Sequence, residues 1–212
     1  MAADQAAGLR RRQAGRPARS IHCVSALPAA SQRLLDALAR QGRRTLLIDV
    51  QGRQFAGQVR SLFDWRQQLA RGQLQTLALP GGDGWHAPGI EADAPELAVL
   101  AAHYDCLVFD HPLESDKVAV PLAGRHILVL DVAQAQLKPA YRLLKTLAHH
   151  DCDAAILLLG EAAACARLEA ACRQFLDGRG AQRIGSLAHE TDAFAALASR
   201  MAEEETGPRA VA

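Results

Sequence analysis

Three short stretches of this chain share one pattern, an uninterrupted apolar run closed by an aspartate: Thr45-Leu46-Leu47-Ile48-Asp49, Cys106-Leu107-Val108-Phe109-Asp110 and Ile127-Leu128-Val129-Leu130-Asp131. Strict alternation would mark a strand with one wet face, whereas an unbroken apolar run marks a strand covered on both faces. Such strands belong to parallel sheets, because parallel neighbours need a crossover and the crossover is a helix lying on the sheet. The rest of the chain fits this rule. Strands are expected near 20–25, 44–49, 74–79, 105–110, 126–132, 154–159 and 182–187, and helical periodicity near 31–41, 58–70, 94–103, 136–149, 162–177 and 191–204. The expected fold is therefore α/β and doubly wound: a mostly parallel sheet of about seven strands with helices on both faces. In such sheets ligands sit outside the carboxyl ends of the strands, so Asp49, Asp110 and Asp131 point to one rim.

Length and charge set the outer limits. A chain of 212 residues is about one domain by the usual size range. Half of its residues are hydrophobic and its net charge is +1, which argues against a protein that coats nucleic acid with its whole surface. Residues 1–20 hold five arginines against the single acid Asp4, so the first stretch carries +4 and the remainder −3. We divide the chain into a basic arm (1–19), an α/β domain (20–206) and a short tail (207–212). Gly81-Gly82-Asp83-Gly84 reads as an extended loop. The apolar runs fall far short of the roughly 20 residues that span a bilayer, and the arm has no apolar core of the secretory kind. Cys23, Cys106, Cys152, Cys165 and Cys172 are odd in number and lack C-x-x-C spacing, as expected of free thiols.

Several segments, in order, resemble the MinD/ParA class of P-loop ATPases, and within it the FlhG (FleN) regulators of flagellar number and placement. Asp4-Gln5-Ala6-Ala7-Gly8-Leu9-Arg10 resembles the D-Q-A-x-x-L-R element ahead of the first strand in FlhG proteins. Leu46-Leu47-Ile48-Asp49 resembles the second-strand motif, Leu79-Pro80-Gly81-Gly82 the loop after the third strand, and Tyr104-Asp105 through Asp110-His111-Pro112 the Y-D-x-x-x-x-D-x-P stretch. The resemblance implies a MinD-like P-loop NTPase fold, with Ser31, Asp49, Asp110 and Pro112 at the nucleotide and metal site. It also implies that Asp4, Gln5, Ala6, Leu9 and Arg10 contact and stimulate an FlhF-type signal-recognition GTPase.

The chain departs from that family where phosphate should bind. A phosphate loop needs glycines, so that successive N–H groups can turn towards the anion, and a lysine to reach the outer phosphates. Here Ser25-Ala26-Leu27-Pro28-Ala29-Ala30-Ser31-Gln32 stands in its place, and no glycine lies between Gly15 and Gly42. The lysines are Lys117, Lys138 and Lys145, all distant in sequence, and the chain contains no asparagine to read an adenine. We therefore expect a degenerate ATPase site and no cofactor; the alternative is ATP with Mg²⁺ in a rebuilt loop, with Arg43 or Arg44 replacing the lysine.

Structural roles compete for the same residues. Aspartates at strand ends also start turns and cap helices, and Ser31 precedes an apolar-periodic stretch, as an N-cap would. His149-His150-Asp151-Cys152-Asp153 carries metal-capable side chains but no second cluster with zinc-like spacing. The segment from Thr191 to Glu205 has Phe194, Leu197, Ala198 and Met201 at helical spacing, yet ends in three glutamates, which fits packing on the sheet better than a membrane surface.

The function expected is a non-hydrolysing, FlhG-like regulator of flagellar biosynthesis, cytoplasmic and either polar or peripheral at the inner membrane. Its partners would be an FlhF-type GTPase and flagellar basal-body or regulatory proteins, with no direct nucleic acid and at most peripheral membrane contact. The alternatives are an active MinD-type ATPase, or a scaffold of the same fold in another polar secretion or pilus system.

Overall fold

The computed structural model describes residues 18–27, 29–49, 76–78, 103–113, 126–149, 155–176, 181–187 and 192–206. Seven strands form one sheet: β1 (Arg19–Ser25), β2 (Thr45–Asp49), β3 (Thr76–Ala78), β4 (Cys106–Pro112), β5 (His126–Val132), β6 (Ala155–Gly160) and β7 (Ile184–Ser186). Their spatial order is β3-β2-β4-β1-β5-β6-β7, and every pairing is parallel. The doubly wound parallel sheet expected from the apolar runs is thus the one the strands form. The expected helices near 58–70 and 94–103, the loop at Gly81–Gly84, the arm and the tail lie outside the described residues.

Four helices of the described residues cover the two faces: α1 (Ala29–Arg40), α2 (Leu137–His149), α3 (Ala162–Phe175) and α4 (Ala193–Thr206). Side chains alternate along a strand, so each strand feeds two separate cores. On one face Ile21, Cys23, Leu47, Val108 and Val129 pack against Leu34 and Leu38 of α1 and Phe194, Leu197 and Met201 of α4. On the other, Val24, Leu128, Leu130 and Leu158 pack against Leu143, Leu144 and Leu147 of α2 and Leu168 and Cys172 of α3. The apolar stripe of the C-terminal helix therefore closes the core. Asp192 anchors its start, its carboxylate accepting the backbone N–H of Ala195 at 3.1 Å, a contact that holds this carboxyl below its usual range.

Two boundaries differ from the sequence reading for identifiable reasons. Strand β4 continues past Asp110 to Pro112 because β1 stays alongside it, with Val24 opposite His111 and Ser25 opposite Pro112. Pro112 ends the strand, and the next N–H, that of Leu113, bonds to the Ser25 carbonyl at 3.0 Å. Helix α1 begins at Ala29, so Ser31 lies inside its first turn and is not its cap.

Candidate functional site

In the observed strand order β1 lies between β4 and β5, and the chain crosses over it in passing from one to the other. That is the topological switch point, and the crevice at the carboxyl end of β1 is where ligands of doubly wound sheets sit. The three aspartates stand around it. Asp49 is the register partner of Asp110, and the side-chain alternation puts Asp49, Asp110 and Asp131 on the face covered by α1 and α4.

Ser31 joins this group from the helix. Its Oγ donates to Asp110 Oδ1 at 2.5 Å, and Ser31, Asp49 and Asp110 are all fully buried. The structure thus brings together three of the four predicted site residues. The fourth, Pro112, ends β4 farther along the strand. Asp4, Gln5, Ala6, Leu9 and Arg10 lie outside the described residues, as do His150 to Asp153.

The connection from β1 to α1 decides what this crevice can hold. Only three residues separate Ser25 from Ala29. Within the turn the Ser25 hydroxyl donates to the Leu27 carbonyl at 2.5 Å, and Ala30 N–H bonds to that same carbonyl at 3.3 Å. Leu27 is exposed. Adjacent carboxylates are the donor type a hard cation takes, yet among the described residues no group of three or more His, Cys, Asp or Glu is placed to hold a metal ion. Lys138 and Lys145 belong to α2, on the opposite face. Arg43 and Arg44 precede β2, whose far end carries Asp49, about 16 Å away at the usual strand rise. Arg44 is engaged there by Asp105, through its backbone N–H at 2.8 Å and its guanidinium at 3.2 Å. Among the described residues, neither Lys138 nor Lys145 lies on the face that carries the aspartates, and the β1–α1 connection contains no glycine.

Beside the aspartate pair, the rim opens into a cavity of about 360 Å³ between the ends of β5 and β6, the β1–α1 turn and the start of α4. Asp131 and Arg33 both line it. Burial pushes the Asp131 carboxyl above its ordinary value, and the positive charge of Arg33 only partly offsets this. The Arg33 guanidinium lies over the Phe194 ring, 4.5 Å from its centroid. Gly160, with φ +104°, ends β6 here; a Cβ at this position would meet the Val132 carbonyl oxygen at 2.3 Å and Asp131 Oδ1 at 2.9 Å. Sequence reasoning missed Arg33 and Gly160. The isolated glycine at the end of an apolar run was the available signal.

The opposite face holds a second buried polar group that the sequence did not announce. His22 Nδ1 and His111 Nε2 are 3.1 Å apart, and the His22 ring stacks on Phe109 at 4.7 Å. Both histidines are buried, on β1 and β4. Among the described residues Cys23, Cys106, Cys165 and Cys172 form no disulfide and are buried, and burial first, then nearby acids, pushes Cys165 up to about 11.

No protein-family model matches the chain, and no curated protein sequence matches it either. Among solved structures it is similar to the MinD cell division protein of Aquifex aeolicus, at 15% identity and a TM-score of 0.45, covering 90% of this chain and 92% of that one. It is also similar to HypB from Helicobacter pylori in complex with nickel, at 13% identity and a TM-score of 0.45, covering 98% and 97%. No helix among the described residues is long and apolar enough to cross a membrane.

Proposed function

We propose that this chain is a non-hydrolysing, FlhG-like regulator of flagellar number and placement, which stimulates an FlhF-type GTPase through its N-terminal arm. The reading is supported by one contrast: a three-residue, glycine-free β1–α1 connection stands where phosphate would be cradled, while the arm keeps Asp4, Gln5, Ala6, Leu9 and Arg10 in the D-Q-A-x-x-L-R order. Phosphoryl transfer depends on charges fixed around the outer phosphates. Without them, retained aspartates serve packing and polar connection, as the Ser31–Asp110 bond does. The active-ATPase alternative with Arg43 or Arg44 in place of the lysine is disfavoured, because both precede β2 and stand at the far end of that strand from Asp49.

Calorimetric titration with ATP and Mg²⁺ tests the nucleotide half of the reading. A ligand present at 100 times its dissociation constant stabilises the native state by about 2.7 kcal/mol, which a thermal melt also registers. The expected result is no saturable heat and no shift of the melting temperature. Saturable binding would overturn the degenerate-site reading.

A further inference from the structure

We propose that the cavity between the ends of β5 and β6 binds a small zwitterion, a molecule carrying a carboxylate and an ammonium or guanidinium group on a short frame, with Arg33 holding the anionic end and Asp131 with Glu161 the cationic end. This does not rest on the flagellar reading. The volume of about 360 Å³ lies at the small end of the range of roughly 300–1,000 Å³ typical of small-molecule sites. Phe194, Leu27 and Val132 give the cavity apolar walls, and charged groups of both signs face into it. That combination of apolar walls with a few placed polar groups fixes a ligand's orientation.

Each charged group is held in place. The Arg33 guanidinium carbon lies over the Phe194 ring, 4.5 Å from its centroid, which holds at the cavity wall a group suited to pairing with a carboxylate. Glu161 does not use its carboxylate to cap α3; its Oε2 accepts the Gln134 backbone N–H at 3.0 Å and so stays at the rim. Asp131 reaches the cavity because residue 160 has no side chain. Burial penalises its charged form even with Arg33 nearby, and a ligand ammonium beside it would offset that penalty. Two carboxylates at one end disfavour a polyanion. A single negative group opposite a positive one matches both ends.

The full chain would be titrated by calorimetry and thermal melt with L-arginine and L-glutamate, and with agmatine and glutarate, which lack the carboxylate and the amine respectively. The expected result is a saturable shift with at least one amino acid, and at least about tenfold weaker binding of its truncated analogue, since removing one partner of a paired charge costs affinity on this scale. Arg33→Gln should weaken the amino acid about tenfold, and so should Asp131→Asn, each with an unchanged far-ultraviolet spectrum. If Asp131→Asn does not fold, Glu161→Gln carries the test of the cationic end. No saturable shift with either amino acid, equal binding of the truncated analogues, or wild-type binding by the Arg33 and carboxylate variants would overturn the proposal. So would a shift produced by ATP with Mg²⁺ and by neither amino acid.

Discussion

The hydroxyl of Ser31 and the carboxylate of Asp110 meet where neither can turn to water, since both residues are fully buried. Replacing Ser31 by Ala removes a charge-assisted bond and leaves a desolvated oxygen with one donor fewer, so urea unfolding should show a loss of about 1–3 kcal/mol. A mere helix cap at the surface would lose less. Asp131 behaves in the opposite sense. Its folded-state pKa is raised, chiefly by burial, so its ionised form is penalised only in the native protein. That penalty is full above the folded-state pKa and is relieved as pH falls through it towards the unfolded value. Asp131→Asn, which cannot ionise, should therefore unfold at a higher denaturant concentration than the parent chain at pH 7. The advantage should vanish near pH 4. An advantage that persists or grows in acid would mean that Asp131 is not a desolvated carboxylate.

Helix α4 illustrates how an element far along the sequence completes a core begun at residue 21. Phe194 and Met201 are buried against Leu34 and Leu38 of α1 and the strand residues beneath them, while Arg40 approaches Asp192 at 3.6 Å on the outside. That exposed ion pair adds little. The aromatic anchor adds much more, and Phe194→Ala should cost about 3–5 kcal/mol in chemical denaturation, a loss expected of a fully buried Phe. If the cost is under about 1 kcal/mol, the helix is not part of the core. The strands beneath it were legible because burial on both faces leaves an unbroken apolar run. The run 106–110, for example, has no polar residue before its closing aspartate. What escaped the sequence depends on contacts across the fold. The Ser31 hydroxyl reads as a cap until α1 is seen to start two residues earlier, and its partner lies 79 positions away. The His22–His111 pair spans 89 positions, and no local pattern marks two histidines that will share one hydrogen bond.

At the scale of the molecule, the sequence joins an arm of strongly positive charge to an α/β body whose described rim carries carboxylates and a glycine-free β1–α1 connection. The body's first strand begins at Arg19, whose N–H bonds to the Asp105 carbonyl at 3.0 Å, so a cut ahead of residue 18 keeps every described strand residue in the chain. On the functional account, Leu9 contributes about 1.5–3 kcal/mol of apolar burial on the partner, and Gln5 acts in the partner's catalytic site. The decisive measurement is GTP turnover by the matching FlhF-type GTPase in the presence of four forms of this protein: the full chain, the chain lacking residues 1–17, Gln5→Ala and Leu9→Ala. The account predicts stimulation by the full chain and none by the truncated one, although both melt at nearly the same temperature. It also predicts that Gln5→Ala binds but stimulates weakly, and that Leu9→Ala binds poorly. Stimulation by the truncated protein equal to that of the full chain, or no stimulation by the full chain at saturating concentration, would contradict it.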